Sequence, residues 1–175
     1  MQRPLNKQGF TIIEILIVLA IAGLIMMFVF LAVPTLERNT RNAERKHDAS
    51  LIATNRELYD EETGTAKMEY GVGTCTGNPD DEDGFATFCS NITQGLSYYT
   101  PSDITAINNG YTPPTTIPTV TTNTVITETY LLCNANLSDA TTVNAGPTDA
   151  VVLYALELAN NQQENQCLPS TVWTT

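Results

Sequence analysis

The sequence predicts an α+β fold: a long amino-terminal helix, membrane-spanning in its first half and amphipathic in its second, packed on a small antiparallel β-sheet. Three observations predict it. A polar leader is followed by a 24-residue apolar run, residues 10–33. Apolar positions at helical spacing continue beyond that run through residues 35–64. The last third of the chain, 118–175, holds segments rich in Val, Ile, Thr and Tyr, the side chains that suit a pleated surface.

The leader carries Arg3 and Lys7 and ends in Gly9. A helix rises ~1.5 Å per residue, so the apolar run spans roughly 36 Å, enough for a bilayer core of about 30 Å. Basic residues before the run stay cytoplasmic, which sends the remainder of the chain outward. The run exceeds the roughly 7–15 residues of a cleavable signal, and no small-residue cleavage site follows it. Glu14 sits five residues into the run. A charge at a membrane helix centre costs about 2.5–3.5 kcal/mol, less near an end, and commonly marks function. The plainer alternative is a carboxylate near enough to the interface to stay solvated and favoured by the helix dipole.

Gly9-Phe10-Thr11-Ile12-Ile13-Glu14, followed by ILIVLAIAGLI, resembles the class III leader and first helix of type IV pilins and pseudopilins. The resemblance is strong over about 34 residues and architectural beyond them. It implies that a prepilin peptidase cuts between Gly9 and Phe10 and methylates the new terminus of Phe10. It further implies that Glu14 pairs with the terminal amine of a neighbouring subunit, and that Gly23 permits close backbone approach in a filament core. Cleaved Phe10 carries a cation at membrane depth, and a carboxylate one turn on is its natural partner. That partner comes from the next subunit when growth proceeds one subunit at a time. Pro34 lies about a turn later than the proline of many members, and an interior proline should disturb the helix. The implied organisation is a removed leader (1–9), a filament-core helix (10–34), an amphipathic helical half (35–64) and a head (65–175). Within the head, 65–117 is a connecting loop and 118–175 a sheet with a carboxy-terminal disulfide loop.

Charge is segregated. The net charge is −11, and all eight basic residues lie at or before Lys67, leaving residues 68–175 with 11 acids and no Lys or Arg. Such a head repels nucleic-acid phosphates, so no nucleic-acid partner is expected; an acidic, Thr- and Asn-rich surface also favours solubility. In residues 35–64 a stripe of Leu36, Ala43, His47, Leu51 and Leu58, widened by Ile52 and Tyr59, is expected to face the head. His47 is the one histidine of the chain, with no second histidine for a metal and no credible triad. Arg38, Arg41, Arg45 and Lys46 form a basic cluster with two readings. It is a solvated face just outside the membrane, or it meets the acidic head of an adjacent subunit.

Residues 66–118 are rich in Gly, Pro and Asn turn signals, and Phe85, Phe88, Tyr98, Tyr99 and Tyr111 are expected to tack this loop onto the sheet. Short strands or a short helix fit within it. Asp80-Asp81-Glu82-Asp83-Gly84 could wrap calcium, with Asp80, Asp81 and Asp83 as the candidate ligands. Pro79 stands where an EF-hand loop would place its first ligand, and a solvated acidic loop is the favoured alternative. PTVTTNTVITETYLLCNA and AVVLYALELA are the two main strand candidates, expected to pair antiparallel. The cysteines, Cys75, Cys89, Cys133 and Cys167, lack C-x-x-C spacing, which argues against zinc and for two disulfides in an exported head. Three pairings are open. The favoured one joins Cys75 to Cys89 and Cys133 to Cys167, the latter resembling the carboxy-terminal loop of many pilins.

No catalytic constellation is visible and no cofactor is implied. The expected function is structural: a major pilin that polymerises through its first helix into an extracellular filament for adhesion or motility. Its implied partners are copies of itself, the prepilin peptidase and a pilus assembly platform in the membrane. A secretion-system pseudopilin or minor pilin is the second reading. A membrane-tethered binding module that never polymerises is the alternative of a different class.

Overall fold

A computed structural model describes residues 9–63, 71–75, 85–108, 114–142, 145–146 and 149–171. The chain divides into two compact units, Met1–Asn39 and Thr40–Thr175. Helix α1, Ile12–Thr63, runs through both. Pro34 lies inside it without ending it. Its ring cannot donate to the carbonyl four residues back, so one rung of the ladder is missing there.

In the first unit, the apolar run of α1 is exposed throughout. Phe10 is 85% exposed and Phe30 76%, and every large apolar side chain between them is at least half exposed or close to it. A helix that is apolar all round needs lipid or protein around it. This one is long and apolar enough to cross a membrane.

In the second unit, α1 lies on a five-stranded sheet. The strands are β1 (Gly71–Thr74), β2 (Ile104–Asn108), β3 (Val125–Thr129), β6 (Asp149–Glu157) and β7 (Gln163–Thr171), side by side in that order. A small ribbon of β4 (Leu132–Cys133) and β5 (Ala140–Thr141) stands apart. Three of the four sheet pairings are antiparallel, but β2 and β3 run parallel, so the sheet is mixed rather than purely antiparallel. A parallel neighbour needs a crossover instead of a tight turn, and the Pro- and Thr-rich stretch between Asn108 and Val125 supplies its length.

The expected connecting loop, 65–117, is more ordered than its Gly and Pro content suggests. It contributes β1 and β2 to the sheet and a short helix, α2 (Phe85–Thr93). Strand β7 extends through a polar stretch read from sequence only as the approach to a terminal loop, and it pairs with β6 over nine residues.

β6 shows how the core is built. Val152, Tyr154 and Leu156 face one side and join Ala49, Ile52 and Ala53 of α1 with Phe88, Ile92, Tyr99, Ile104, Ala106 and Val125. Val151, Leu153 and Ala155 face the other and join Val120, Leu131, Ala140 and Cys167 beneath the β4–β5 ribbon. A strand covered on both faces reads as a continuous apolar run, which is why AVVLYALELA does not alternate. Each fully buried aliphatic side chain here contributes about 1.5–3 kcal/mol before entropy is counted. Tyr130 has φ 62°, a left-handed conformation costly for an aromatic residue, where the chain leaves β3 for β4. Its N–H donates to the Asp149 carbonyl at 2.8 Å, which holds the turn against β6.

Two disulfides close loops of the head. Cys75 at the end of β1 joins Cys89 of α2, and Cys133 of β4 joins Cys167 of β7, with separations of 14 and 34 residues. The first lies in the core under α1, the second on the opposite side of the sheet.

The stripe expected to face the head does so only in part: Ile52 is buried in the core and Leu51 packs against it. Leu36 is 63% exposed, Ala43 and His47 are exposed and Leu51 is half-buried, while the side chains of Leu58 and Tyr59 lie outside the described residues. The buried face is instead Arg45, Asp48, Ala49, Ile52, Ala53 and Arg56. Three of those six are charged, so hydrophobic periodicity locates only the edge of the buried face, at Leu51 and Ile52. Phe88 and Tyr99 are buried and Tyr98 half-buried, so part of the expected aromatic tacking is present.

A few buried polar atoms are left without a hydrogen bond, the Tyr99 hydroxyl and Thr127 Oγ1 among them. The Tyr99 hydroxyl is buried without a hydrogen-bond partner, and burial raises its pKa. Removing an unsatisfied buried hydroxyl while keeping the ring relieves a desolvation cost. Tyr99→Phe is therefore expected to leave stability unchanged or raise it by up to about 1 kcal/mol, read from urea unfolding. A loss of more than that would show that the hydroxyl has a partner in solution.

Candidate functional site: the amino terminus and the helix–sheet clamp

Two constellations carry chemistry, one in each unit. In the first, α1 begins at Ile12, which makes Thr11 the residue before its first turn. The Thr11 backbone N–H donates to Glu14 Oε2 at 2.8 Å, and the Thr11 hydroxyl donates to the same oxygen at 2.9 Å. This is one half of a capping box: a glutamate in the third helical position reaching back to the N-cap backbone. Glu14 is therefore held against the start of the helix rather than directed along it. Gly9 and Phe10 precede the helix outside any regular element and are exposed. Gly23 has open space around its Cα within this unit, so its lack of a side chain is not demanded by an intrachain contact.

The second constellation anchors α1 to the sheet. Arg41 donates to both carboxylate oxygens of Glu157, Nε to Oε2 at 3.1 Å and Nη2 to Oε1 at 3.0 Å. Asn42 pairs with the backbone of the same residue: its Nδ2 donates to the Glu157 carbonyl at 2.8 Å, and the Glu157 N–H donates to Asn42 Oδ1 at 2.9 Å. β3 reaches only to the pairing of Ile126 with Leu153, so the end of β6 has no neighbouring strand on that edge. The Asn42 amide takes that strand's place.

Arg45 is almost wholly buried, at 2% exposure, yet each of its three guanidinium nitrogens has a partner. Nε donates to the Thr122 carbonyl at 3.0 Å, Nη1 to Asn42 Oδ1 at 2.8 Å and Nη2 to the Tyr98 hydroxyl at 2.5 Å. Its carbon lies 4.2 Å from the centre of the Tyr98 ring, a cation–π arrangement, and Nη1 is 3.6 Å from Glu157 Oε2. One turn on, Asp48 has no exposed surface. Its carboxylate accepts three successive backbone N–H groups, from Ser97 at 2.9 Å, Tyr98 at 2.7 Å and Tyr99 at 3.0 Å. A buried charge is tolerable when this fully satisfied.

The basic cluster read from sequence therefore separates. Arg41 and Arg45 turn inward and hold their own head, which corrects the expectation of four outward charges. Their acceptors, Glu157 and the Thr122 carbonyl, lie more than 75 residues away and leave no local signal in the sequence. Lys46 stays exposed, and Arg38 is half-buried in the other unit. Asn42, Asp48 and Glu157 are the residues of the clamp that sequence reasoning missed, while Tyr98 was expected to tack its loop down but not to hold Arg45. Only an Asp among apolar positions of a helix hinted at one of them. His47 is exposed, its Nδ1 3.2 Å from Asp48 Oδ1. Asp80, Asp81 and Asp83 lie outside the described residues, as does Trp173. Among the described residues no cluster of His, Cys, Asp or Glu is arranged to hold a metal ion.

The clamp has a pH signature. The hydrogen bond from Arg41, with the charges of Arg41 and Arg45, holds the Glu157 carboxyl below the usual glutamate range. A lowered folded-state pKa contributes stability that is complete above the unfolded value and is lost as pH falls through the folded one. Glu157→Gln is therefore expected to lower the melting temperature at pH 7, with the gap to the wild type closing as pH drops below about 4.3. Melting curves from pH 3 to 7 check this; a gap independent of pH would assign the loss to packing instead.

Comparison with known families finds a match to the prokaryotic N-terminal methylation motif over residues 4–30. Neither the curated proteins nor the solved structures provide a match. The motif supports the type IV pilin or pseudopilin family and a structural subunit rather than an enzyme. It also implies processing by prepilin peptidase and a membrane-anchored precursor, in keeping with the exposed apolar helix. The amino-terminal segment of this chain is a prokaryotic N-terminal methylation motif, the class III prepilin leader of type IV pilins and pseudopilins.

Proposed function

We propose that the chain is a filament subunit, a major pilin of a type IV pilus serving adhesion or motility. The observation that carries this reading is the helix surface of residues 10–33, exposed throughout and apolar but for Thr11 and Glu14, most of which lies within the methylation motif of residues 4–30. In the membrane, lipid covers that surface; in a filament, the same helix of neighbouring copies replaces lipid. Cleavage between Gly9 and Phe10 creates the amine, Glu14 supplies its counter-charge on the next copy, and Gly23 admits close helix approach. The division into leader, core helix, amphipathic half and head follows the same logic. Two disulfides suit a head that works outside the cell.

Intact-mass and amino-terminal analysis of protein sheared from cells tests the proposal. The expected result is an abundant chain beginning at N-methylated Phe10 with all four cysteines oxidised. The same processed chain confined to membranes would indicate a pseudopilin or minor subunit. A chain beginning at Met1 would overturn the filament reading in favour of a tethered module.

A further inference from the structure

Within Thr40–Thr175, nearly every described charge is spent inside its own chain. Arg41 and Arg45 bind Glu157, Thr122 and Tyr98, and Arg56 is buried. Among the described carboxylates of the head, Asp103 caps Thr100, Asp139 accepts from Ala140, Asp149 accepts from Gly146 and Glu157 is clamped. Glu128 is buried in the sheet.

Glu44 and Lys46 on α1 and Glu164 on β7 are left; Glu44 is half-buried, and the other two are exposed and of opposite sign. Lys46 is exposed on α1 in a row with Ala43 and Ser50, also exposed, and has no acidic partner among the described residues. Glu164 is exposed on β7, in the outward run 160–165, with no hydrogen bond or ion pair among the described residues. β7 is an edge strand of the sheet, so its outer side faces no other strand. The chain has no Lys or Arg after Lys67, so a cation for Glu164 must come from residues up to that position.

We propose that Lys46 of one copy docks on Glu164 at the β7 edge of a second copy, so that the outer face of α1 meets the neighbour's free sheet edge. The contact joins two different patches, a heterologous arrangement that propagates into a helical assembly instead of closing as a dimer. The small side chains beside Lys46 let a strand edge approach the helix, and the charge pair sets register and orientation. This inference rests on the filament reading and names the surface by which heads would meet.

Charge reversal tests it. Lys46→Glu and Glu164→Lys are each expected to lower the sheared filament fraction by at least about tenfold, because like charges then face each other. The amount of processed chain in the membrane should be unchanged, and the double variant should regain the wild-type filament level. Single variants that assemble like the wild type, or a double no better than the singles, would overturn the contact.

A second measurement decides the question independently of filaments. Carbodiimide coupling of membranes holding a mixture of ¹⁴N- and ¹⁵N-labelled chains should yield a Lys46–Glu164 peptide carrying one label from each copy. Coupling only within one label, or none, would overturn the proposal. Absence of wild-type filaments alongside a mixed-label peptide would sink the filament reading and leave this contact standing.

Discussion

Asp48→Ala is expected to cost roughly 3–5 kcal/mol of head stability, the range for breaking a satisfied buried charge site. The carboxylate is the shared acceptor for the N–H groups of Ser97, Tyr98 and Tyr99, all of which would be left without it. An unsatisfied buried donor costs about 1–3 kcal/mol on its own. A domain of this size has about 5–15 kcal/mol in total, so the variant would stand near its unfolding threshold. Release of residues 97–99 would also move Tyr98 away from Arg45, leaving a buried guanidinium short of its ring and hydroxyl. Urea unfolding of the full chain in detergent, followed by tyrosine fluorescence, should show the midpoint fall with little change in slope. A shift worth less than about 1 kcal/mol would mean that the three N–H groups find water in its place.

Glu14→Ala is expected to abolish filaments while leaving the processed chain in the membrane. A lost pairing between a membrane-depth carboxylate and a neighbour's amine corresponds to several kcal/mol, or roughly a hundredfold or more in assembly. Glu14 also accepts two hydrogen bonds from Thr11, so alanine removes a helix cap as well as a charge. Glu14→Gln separates the two effects, since the amide oxygen still accepts from Thr11 but carries no charge. Equal failure of both variants assigns the role to the charge. Assembly by the glutamine variant assigns it to the cap. Unchanged surface display by both would leave a tethered module.

What could be read in the sequence was whatever one segment declares alone. The apolar run needed only its length, the leader only the order of Gly9, Phe10 and Glu14, and β6 only its Val- and Leu-rich run. What could not be read depends on partners distant in the chain. The buried face of α1 carries Arg45 and Asp48 because acceptors and donors await them at Thr122 and at residues 97–99, and a hydrophobic count scores such positions as outward. β7 is polar over Gln163–Asn165 because that end of an edge strand is exposed, so its pairing with β6 leaves little trace in composition. β1 and β2 are short and lie among Gly and Pro, which mark turns whether or not strands stand between them. The parallel step between β2 and β3 is a matter of topology, to which local pattern is blind.

The two disulfides also bear on how such a subunit responds to tension. Load on the part of α1 within Thr40–Thr175 reaches β6 through the clamp on Glu157. If that clamp yields, chain can be drawn out only where no covalent loop encloses it. The bond from Cys133 to Cys167 encloses all of β6, the strand to which the clamp is fastened, across 34 residues. At about 3.3–3.6 Å per residue, that loop withholds roughly 110–120 Å of slack. The bond from Cys75 to Cys89 likewise keeps α2 from peeling off the end of β1. A pulled head would thus lengthen in short, bounded steps, and β6 would stay within a closed ring.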